Sequence, residues 1–230
     1  MQRLAIYYAP RPGAFADRAA QWLGRDAETG GPVPQPGLAE PTPEPVPDLA
    51  ALTAEPSRYG FHGTIRAPFR PRADLAMAAI EQAVADLAVR LAPVRCEGLR
   101  IENLHGFLAL TPEGDTGPLA RLAARVVEAT DGLRAPLTDA DIARRRPERL
   151  TARQRDLLAL WGYPYVMEEF RFHLTLTGPL TDETARQVGP LAARHFGPVL
   201  PRPFPVEDLC LFAEQSDGTF RLCHRYALCG

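Results

Sequence analysis

The chain has 230 residues, of which 46% are hydrophobic and 23% are charged, and its formal net charge is −2. These values are typical of a globular protein that buries its own core, and they predict no general attraction to nucleic acid or to a membrane surface. Every basic residue is an arginine, so mechanisms that need a catalytic lysine, such as Schiff-base formation or lysyl-adenylate ligation, are excluded.

Cysteine spacing and hydropathy favour a cytoplasmic location. The four cysteines show no Cys-x-x-Cys spacing, which favours free thiols over a disulfide framework. The N-terminal segment has too short an apolar run for a signal peptide, and no stretch reaches the ~18 apolar residues needed to span a bilayer. We therefore expect no membrane association.

The first quarter of the chain predicts a strand, a helix and a proline-rich segment. The strand covers residues 3–9 and ends at Pro10, and an amphipathic helix follows at about 14–24. Residues 32–47 contain seven prolines, which favour an extended, unpaired backbone. This loop is either a surface excursion or a lid that borders the functional site.

The remaining chain alternates between helical and extended patterns. After a strand near 58–66, the elements predicted are a helix at 73–91, strands at 94–104 and 106–111, a helix at 117–130, a mostly helical stretch at 138–161, a strand at 165–177, a helix at 181–196, and a hairpin that pairs 206–213 with 219–228.

Two of these strands carry the same short motif. Residues 58–66 and 170–178 each contain an aromatic residue, a histidine, any residue, a threonine and an aliphatic residue in that order. A single His-x-Thr match is a weak signal, but two matches in this context are a strong one. Because side chains alternate between the faces of a strand, the histidine and the threonine of each motif share a face. The residues predicted on these faces are Arg58, His62, Thr64, Arg66, Arg171, His173, Thr175 and Thr177.

The two halves of the chain match in the order of their elements. Each half reads strand, helix, histidine strand, helix, strand, although sequence identity outside the motifs is negligible. This order predicts a duplicated α/β unit in one domain, 1–230, made of two pseudo-symmetric lobes at about 1–104 and 105–230. We expect a pseudo-twofold axis that makes the two histidine strands face each other across a groove.

Two opposed histidines suit displacement at phosphorus. An imidazole titrates near pH 6.5, so at neutral pH one ring can accept a proton from attacking water while the other donates one to the leaving oxygen. The threonine hydroxyls can donate hydrogen bonds to the non-bridging oxygens. The pattern predicts His62 and His173 as catalytic residues and needs no metal or other cofactor, but it leaves open which histidine is the acid.

The paired motif resembles the 2H phosphoesterase superfamily, which includes LigT-like cyclic phosphodiesterases. Segments 58–69, 133–141 and 161–173 are similar to the branch encoded beside phosphonate (C–P lyase) genes. The resemblance implies an α+β, bilobal fold with two antiparallel sheets that flank a central groove and helices outside. It also implies catalysis by the two histidines and phosphate binding by Thr64 and Thr175. Arg66 stands where the family pattern has lysine, which keeps the charge but not the shape.

The resemblance further implies a small cyclic phosphate as substrate, such as 5-phosphoribosyl 1,2-cyclic phosphate. The face arginines are candidates for a second phosphate, although arginines at strand edges are often merely solvated. Tyrosines near the motifs can stack on a ligand or pack at strand edges. The substrate-binding candidates are Arg58, Tyr59, Arg66, Tyr165, Arg171 and Thr177.

Other polar groups have simpler interpretations. His105, His195 and His224 favour structural or surface roles, and no ligand set for a metal is visible around them. The basic run 144–155 is the solvated face of a helix, a patch that recruits phosphate beside the groove, or a contact for nucleic acid.

Two alternatives to the small-substrate enzyme remain open. One is an RNA-end 2′,3′-cyclic phosphodiesterase, for which the low aromatic content and negative net charge provide little support. The other is a nucleotide-binding module without turnover. The sequence does not predict an oligomeric state.

Overall fold

The computed structural model describes residues 3–37 and 48–230. Most of the predicted proline-rich loop lies outside these residues, so neither interpretation of it is tested. Within the described ranges the strands are β1 (Leu4–Tyr8), β2 (Gly63–Phe69), β3 (Val94–Cys96), β4 (Gly98–Asn103), β5 (Leu108–Glu113), β6 (Leu174–Thr175), β7 (Phe204–Val206), β8 (Asp208–Glu214) and β9 (Phe220–Ala227). The α-helices are α1 (Ala14–Leu23), α2 (Leu49–Ser57), α3 (Met77–Val89), α4 (Gly117–Thr130), α5 (Asp139–Arg144), α6 (Ala152–Trp161) and α7 (Asp182–Phe196).

Most predicted elements are confirmed, and the exceptions have local causes. The stretch 138–161 is divided into α5 and α6 by a 3₁₀ turn that begins at Pro147, because proline cannot continue a helix from the preceding turn. Helix α2 was not predicted, although its capping residue Asp48 accepts a hydrogen bond from the Ala50 amide. The second histidine strand is regular only over β6, since a 3₁₀ turn occupies Met167–Glu169.

The strands form a large and a small antiparallel sheet, as the fold class requires. The large sheet has the order β4-β5-β6-β2-β1-β8-β9, and β3 pairs with β7 in the small one. The predicted strand 94–104 therefore divides between the two sheets, where Glu97 separates β3 from β4. The final hairpin pairs β8 with β9 as predicted.

The two halves of the chain meet at the centre of the large sheet. There β2 pairs with β6 through Gly63 and Leu174. On one side of this pair the order continues through β1 to β8, and on the other through β5 to β4, which is the symmetry that a duplication predicts. The two histidine strands are thus neighbours in one sheet, and they do not face each other from separate sheets. The lobe boundary near residue 104 stays a prediction; it falls in the turn between β4 and β5.

The two faces of the large sheet have different environments. Alternation along β1 buries Leu4, Ile6 and Tyr8 in the main core, where helices α1, α3, α4 and α7 cover the sheet. Ala5 and Tyr7 point to the opposite face, into a smaller cluster with Phe212 and Phe220. No helix among the described residues is long and apolar enough to cross a membrane.

Candidate functional site

The pairing of β2 with β6 brings the two motifs together. Because Gly63 lies opposite Leu174, the antiparallel register places His62 opposite Thr175 and Thr64 opposite His173. Opposed side chains share a face with their Cβ atoms ~5 Å apart, and diagonal neighbours such as the two histidines are ~7–8 Å apart. The two motifs therefore form one cluster of four polar residues on one face of the sheet.

A glycine is required beneath this cluster. Gly63 points to the main core, where the ring of Phe172 occupies the space that a side chain would need. A Cβ atom on Gly63 would lie 2.2 Å from the Phe172 ring. The residue between His62 and Thr64 is thus dictated by packing on the opposite face.

The two histidines have equivalent hydrogen bonds. The Nδ1 atom of His62 lies 2.8 Å from the Gly60 carbonyl oxygen, and that of His173 lies 2.9 Å from the Arg171 carbonyl oxygen. Since a carbonyl oxygen can only accept, Nδ1 carries the proton in each ring. In the neutral tautomer the Nε2 lone pair of each ring is then available to accept a proton.

Aromatic packing controls the electrostatics of His62. Its ring stacks on Tyr7 with centroids 3.9 Å apart, and the Tyr59 ring lies at 5.9 Å. Although part of the side chain remains exposed, loss of water around the ring lowers the pKa of His62 to about 4. The Gly60 carbonyl opposes this effect, and the charge of His173 adds to it. His62 is therefore neutral at pH 7.

The motif threonines offer free hydroxyl groups. Thr64 and Thr175 are half-buried and line a cavity, and neither hydroxyl has a hydrogen-bond partner in the described part of the chain. Thr177 lines the same cavity; its oxygen accepts from the Leu108 amide, so its proton remains available. These groups are positioned to donate to the oxygens of a bound phosphate.

The cavity has a volume of about 410 Å³, which falls in the range of small-molecule sites. Its wall includes His62, Thr64 and Thr175, together with the predicted Tyr59 and Thr177. His173 lies beside this wall, and its ring is 5.7 Å from that of the wall residue Phe107. Across residues 3–37 and 48–230, no group of three or more His, Cys, Asp or Glu side chains is arranged to hold a metal ion.

Four predicted substrate-binding residues lie outside the cavity wall. Arg58 follows helix α2 rather than entering β2, so strand alternation does not apply to it. Arg171 donates to the carbonyls of Glu168 and Phe170 in its own loop. Tyr165 is exposed and packs edge-on against Tyr163, which does line the cavity.

The fourth of these predictions, Arg66, is wrong because the strand is irregular. Pairing with β1 matches Thr64 to Tyr7 but Arg66 to Ile6, so a β-bulge interrupts the alternation. Arg66 consequently points to the helix side, where it is 3% exposed. Its guanidinium donates to the Val127 carbonyl at 2.7 Å and pairs with Asp131. It is a structural cation rather than a ligand-binding one.

Several wall residues were not predicted, among them Arg3 and Tyr7. Tyr7 and Arg3 come from β1 and the residue before it, and Tyr163 follows helix α6. Arg144 and Arg145 belong to the basic run 144–155, for which phosphate recruitment was one of three interpretations. The basic run and the tyrosines near the motifs, Tyr163 among them, gave a usable signal, whereas Arg3 and Tyr7 resemble ordinary strand positions.

Residues 64–221 match the model of a family described as "Protein of unknown function (DUF1045)". Two curated relatives have the name "Ribose 1,5-bisphosphate phosphokinase PhnN". The one from Janthinobacterium sp. (strain Marseille) is 35% identical over 95% of this chain and 49% of its own length. The one from Laribacter hongkongensis (strain HLHK9) is 38% identical over 96% of this chain and 50% of its own length. The chain thus spans about half the length of these relatives.

Solved structures with similar folds include two bacterial proteins. TT0787 of Thermus thermophilus has a TM-score of 0.45 at 19% identity, over 99% of this chain and 98% of that protein. E. coli LigT in complex with NADP+ has a TM-score of 0.42 at 14% identity, over 100% of this chain and 98% of that one. Overlaps at this level are too loose to assign a function.

Proposed function

Since the chain belongs to the DUF1045 family, whose description assigns no activity, we propose a function from the site itself: metal-independent hydrolysis of a cyclic phosphodiester on a small ribose phosphate. The observation that carries this proposal is the cluster of His62, Thr64, His173 and Thr175 where β2 pairs with β6. It pairs each histidine with the threonine of the other motif, and Nε2 of each ring has no hydrogen-bond partner among residues 3–37 and 48–230.

His62 acts as the general base in this mechanism. It is neutral at pH 7, so its Nε2 atom takes one proton from the water that attacks phosphorus. His173 acts as the general acid and gives a proton to the sugar oxygen as the P–O bond of the ring breaks. The products are a phosphomonoester and a free sugar hydroxyl, and water supplies both the new P–O bond and the net proton.

The threonines stabilise the charge that develops during the attack. Thr64 and Thr175 donate their hydroxyl protons to the non-bridging oxygens, where negative charge accumulates. The role that a divalent ion plays in other phosphodiesterases then falls to these donors and to nearby arginines.

The names of the relatives support a sugar phosphate as substrate. Both names refer to ribose 1,5-bisphosphate and to a phosphokinase activity. This chain has no lysine, so it cannot form the Gly-rich, ATP-binding phosphate loop that ends in Lys-Ser/Thr. We infer that kinase chemistry belongs to the other half of those relatives. The half represented here would supply a related substrate, with 5-phosphoribosyl 1,2-cyclic phosphate of phosphonate breakdown as our first choice.

A substrate screen tests the proposal. The purified chain is incubated with ribose 1,2-cyclic, nucleotide 2′,3′-cyclic and RNA-terminal cyclic phosphates, and the products are identified by phosphorus NMR. We expect ring opening of the ribose substrate in the wild type and its loss in the His62→Ala and His173→Ala variants. His105→Ala, which changes an exposed histidine outside the cavity wall, is the matched control. Hydrolysis of none of the three classes would refute the function, and preference for RNA ends would refute the substrate.

A further inference from the structure

The cavity continues away from the histidines into a recess rich in arginine. Arg3, Arg144 and Arg145 line both spaces, and the recess adds Arg70 and Arg134. Asp141 is the only acidic residue in the recess wall among the described residues. A concave wall with several guanidinium groups and one carboxylate is a site for an anion.

Arg145 is the member of this group that is free to bind. Its guanidinium lies 4.7 Å from the centre of the Tyr163 ring. In the described part of the chain this guanidinium has no hydrogen-bond or ion-pair partner. The contact with the ring restrains the guanidinium, while its five N–H donors make no hydrogen bond to the described residues.

The neighbouring charges do not neutralise the recess. The amide and hydroxyl of Thr138 and the guanidinium of Arg70 hold the pKa of Asp141 well below its usual range. Because these groups already satisfy that carboxylate, Arg144 approaches it only to 3.9 Å. Arg3 is paired with Glu214, which lies outside the recess wall. Arg70 is held by Asp141 and Arg134 by Asp131. This leaves to a ligand Arg145, which has no ion pair among the described residues, together with the loosely paired Arg144 beside it.

The recess is close to the catalytic cluster. Tyr7, which stacks on His62, lies within reach of the charges of both Arg3 and Arg145. Tyr163, beneath Arg145, lines the same cavity as Thr64 and Thr175. A ligand with a phosphorus at the threonines can therefore extend towards the arginines without leaving the cavity.

We propose that Arg144 and Arg145 form a second anion subsite, which binds a phosphomonoester on the same sugar that carries the cyclic phosphate. This inference rests on the proposed function and makes it more specific, because it requires a substrate with two phosphates at opposite ends. Binding of the second phosphate is thereby assigned to Arg144 and Arg145. The sequence had suggested for it the arginines on the motif faces, Arg58, Arg66 and Arg171.

Steady-state kinetics on two matched substrates test the subsite. The substrates are ribose 1,2-cyclic phosphate with and without a 5-phosphate, and the measured quantity is the ratio of their kcat/KM values. Loss of a charge-assisted contact should reduce this ratio by about tenfold to a hundredfold in Arg145→Gln. Arg145→Lys keeps the charge but not the planar guanidinium, so its kcat/KM ratio should lie between those of Arg145→Gln and the wild type. Arg149→Gln, an exposed arginine in the same segment outside both cavity walls, should leave the ratio unchanged.

Binding without turnover separates this inference from the proposed function. Titration calorimetry with ribose 5-phosphate should show binding to the His62→Ala variant and at least tenfold weaker binding when Arg145→Gln is added. If this difference appears while no cyclic phosphate is hydrolysed, the function fails and the subsite stands. An unchanged kinetic ratio and unchanged binding in Arg145→Gln overturn the subsite. Affinity that instead rises with RNA length and falls steeply with salt also overturns it, since several backbone phosphates would then occupy the arginines.

Discussion

The pKa of His62 provides a direct test of its role as the proton acceptor. Burial against Tyr7 and Tyr59 lowers this pKa from the ordinary 6.5 to about 4. At pH 5.5 a ring with a pKa of 4 is ~97% neutral, whereas one with a pKa of 6.5 is only ~9% neutral. The rate of a reaction that needs neutral His62 therefore differs about tenfold between the two cases at this pH.

The assay is the pH dependence of kcat/KM on a cyclic phosphate without a phosphomonoester, so that the substrate itself does not titrate. As the pH falls through about 4, His62 gains a proton, and activity should fall by about tenfold per pH unit. Nitrogen NMR of the imidazole in the inactive His173→Asn variant reads the same pKa directly, since the charge of His173 contributes least to the shift. Tyr59→Ala, which admits water, should raise the pKa of His62 towards 6.5. An acid limb near pH 6.5 in the wild type would refute the assignment.

Three further predictions concern the catalytic pair, Arg66 and metal ions. Replacing His62 or His173 with alanine should lower kcat by ~10²–10⁴ in rapid-quench or steady-state assays, and the double variant should have a kcat little lower than the single ones. If the two losses in activation free energy added up in the double variant, the histidines would not act as a unit. Arg66→Ala should cost ~2–5 kcal/mol of unfolding free energy in urea, because it leaves a cavity where the buried side chain was. Arg66→Met should cost less than ~1 kcal/mol, because it fills that space while Asp131 keeps Arg134 as its partner. A changed KM in Arg66→Met at unchanged stability would return Arg66 to the site. EDTA should leave activity unchanged, and loss that a divalent ion restores would refute metal independence.

The order of elements and the histidine–threonine cluster were accessible from the sequence because they depend on local patterns. The apolar residues that alternate with His173 show this: Phe172, Leu174 and Leu176 are buried in the core, and Phe170 packs against it. The repeated motif also identified the strands that had to meet. Helical periodicity located α3 and α4 correctly, since each buries a continuous apolar stripe.

Contacts between distant segments decided the rest. The bulge opposite Ile6 turned Arg66 to the helix side. The sequence pattern of β2 does not predict where the pairing register shifts. The low pKa of His62 depends on Tyr7, a residue of another strand. Arg145 reaches the cavity because a short helix and a proline turn place it over Tyr163. Alternation and periodicity describe one element at a time, whereas burial, charge environment and the shape of a cavity are set by which elements pack together.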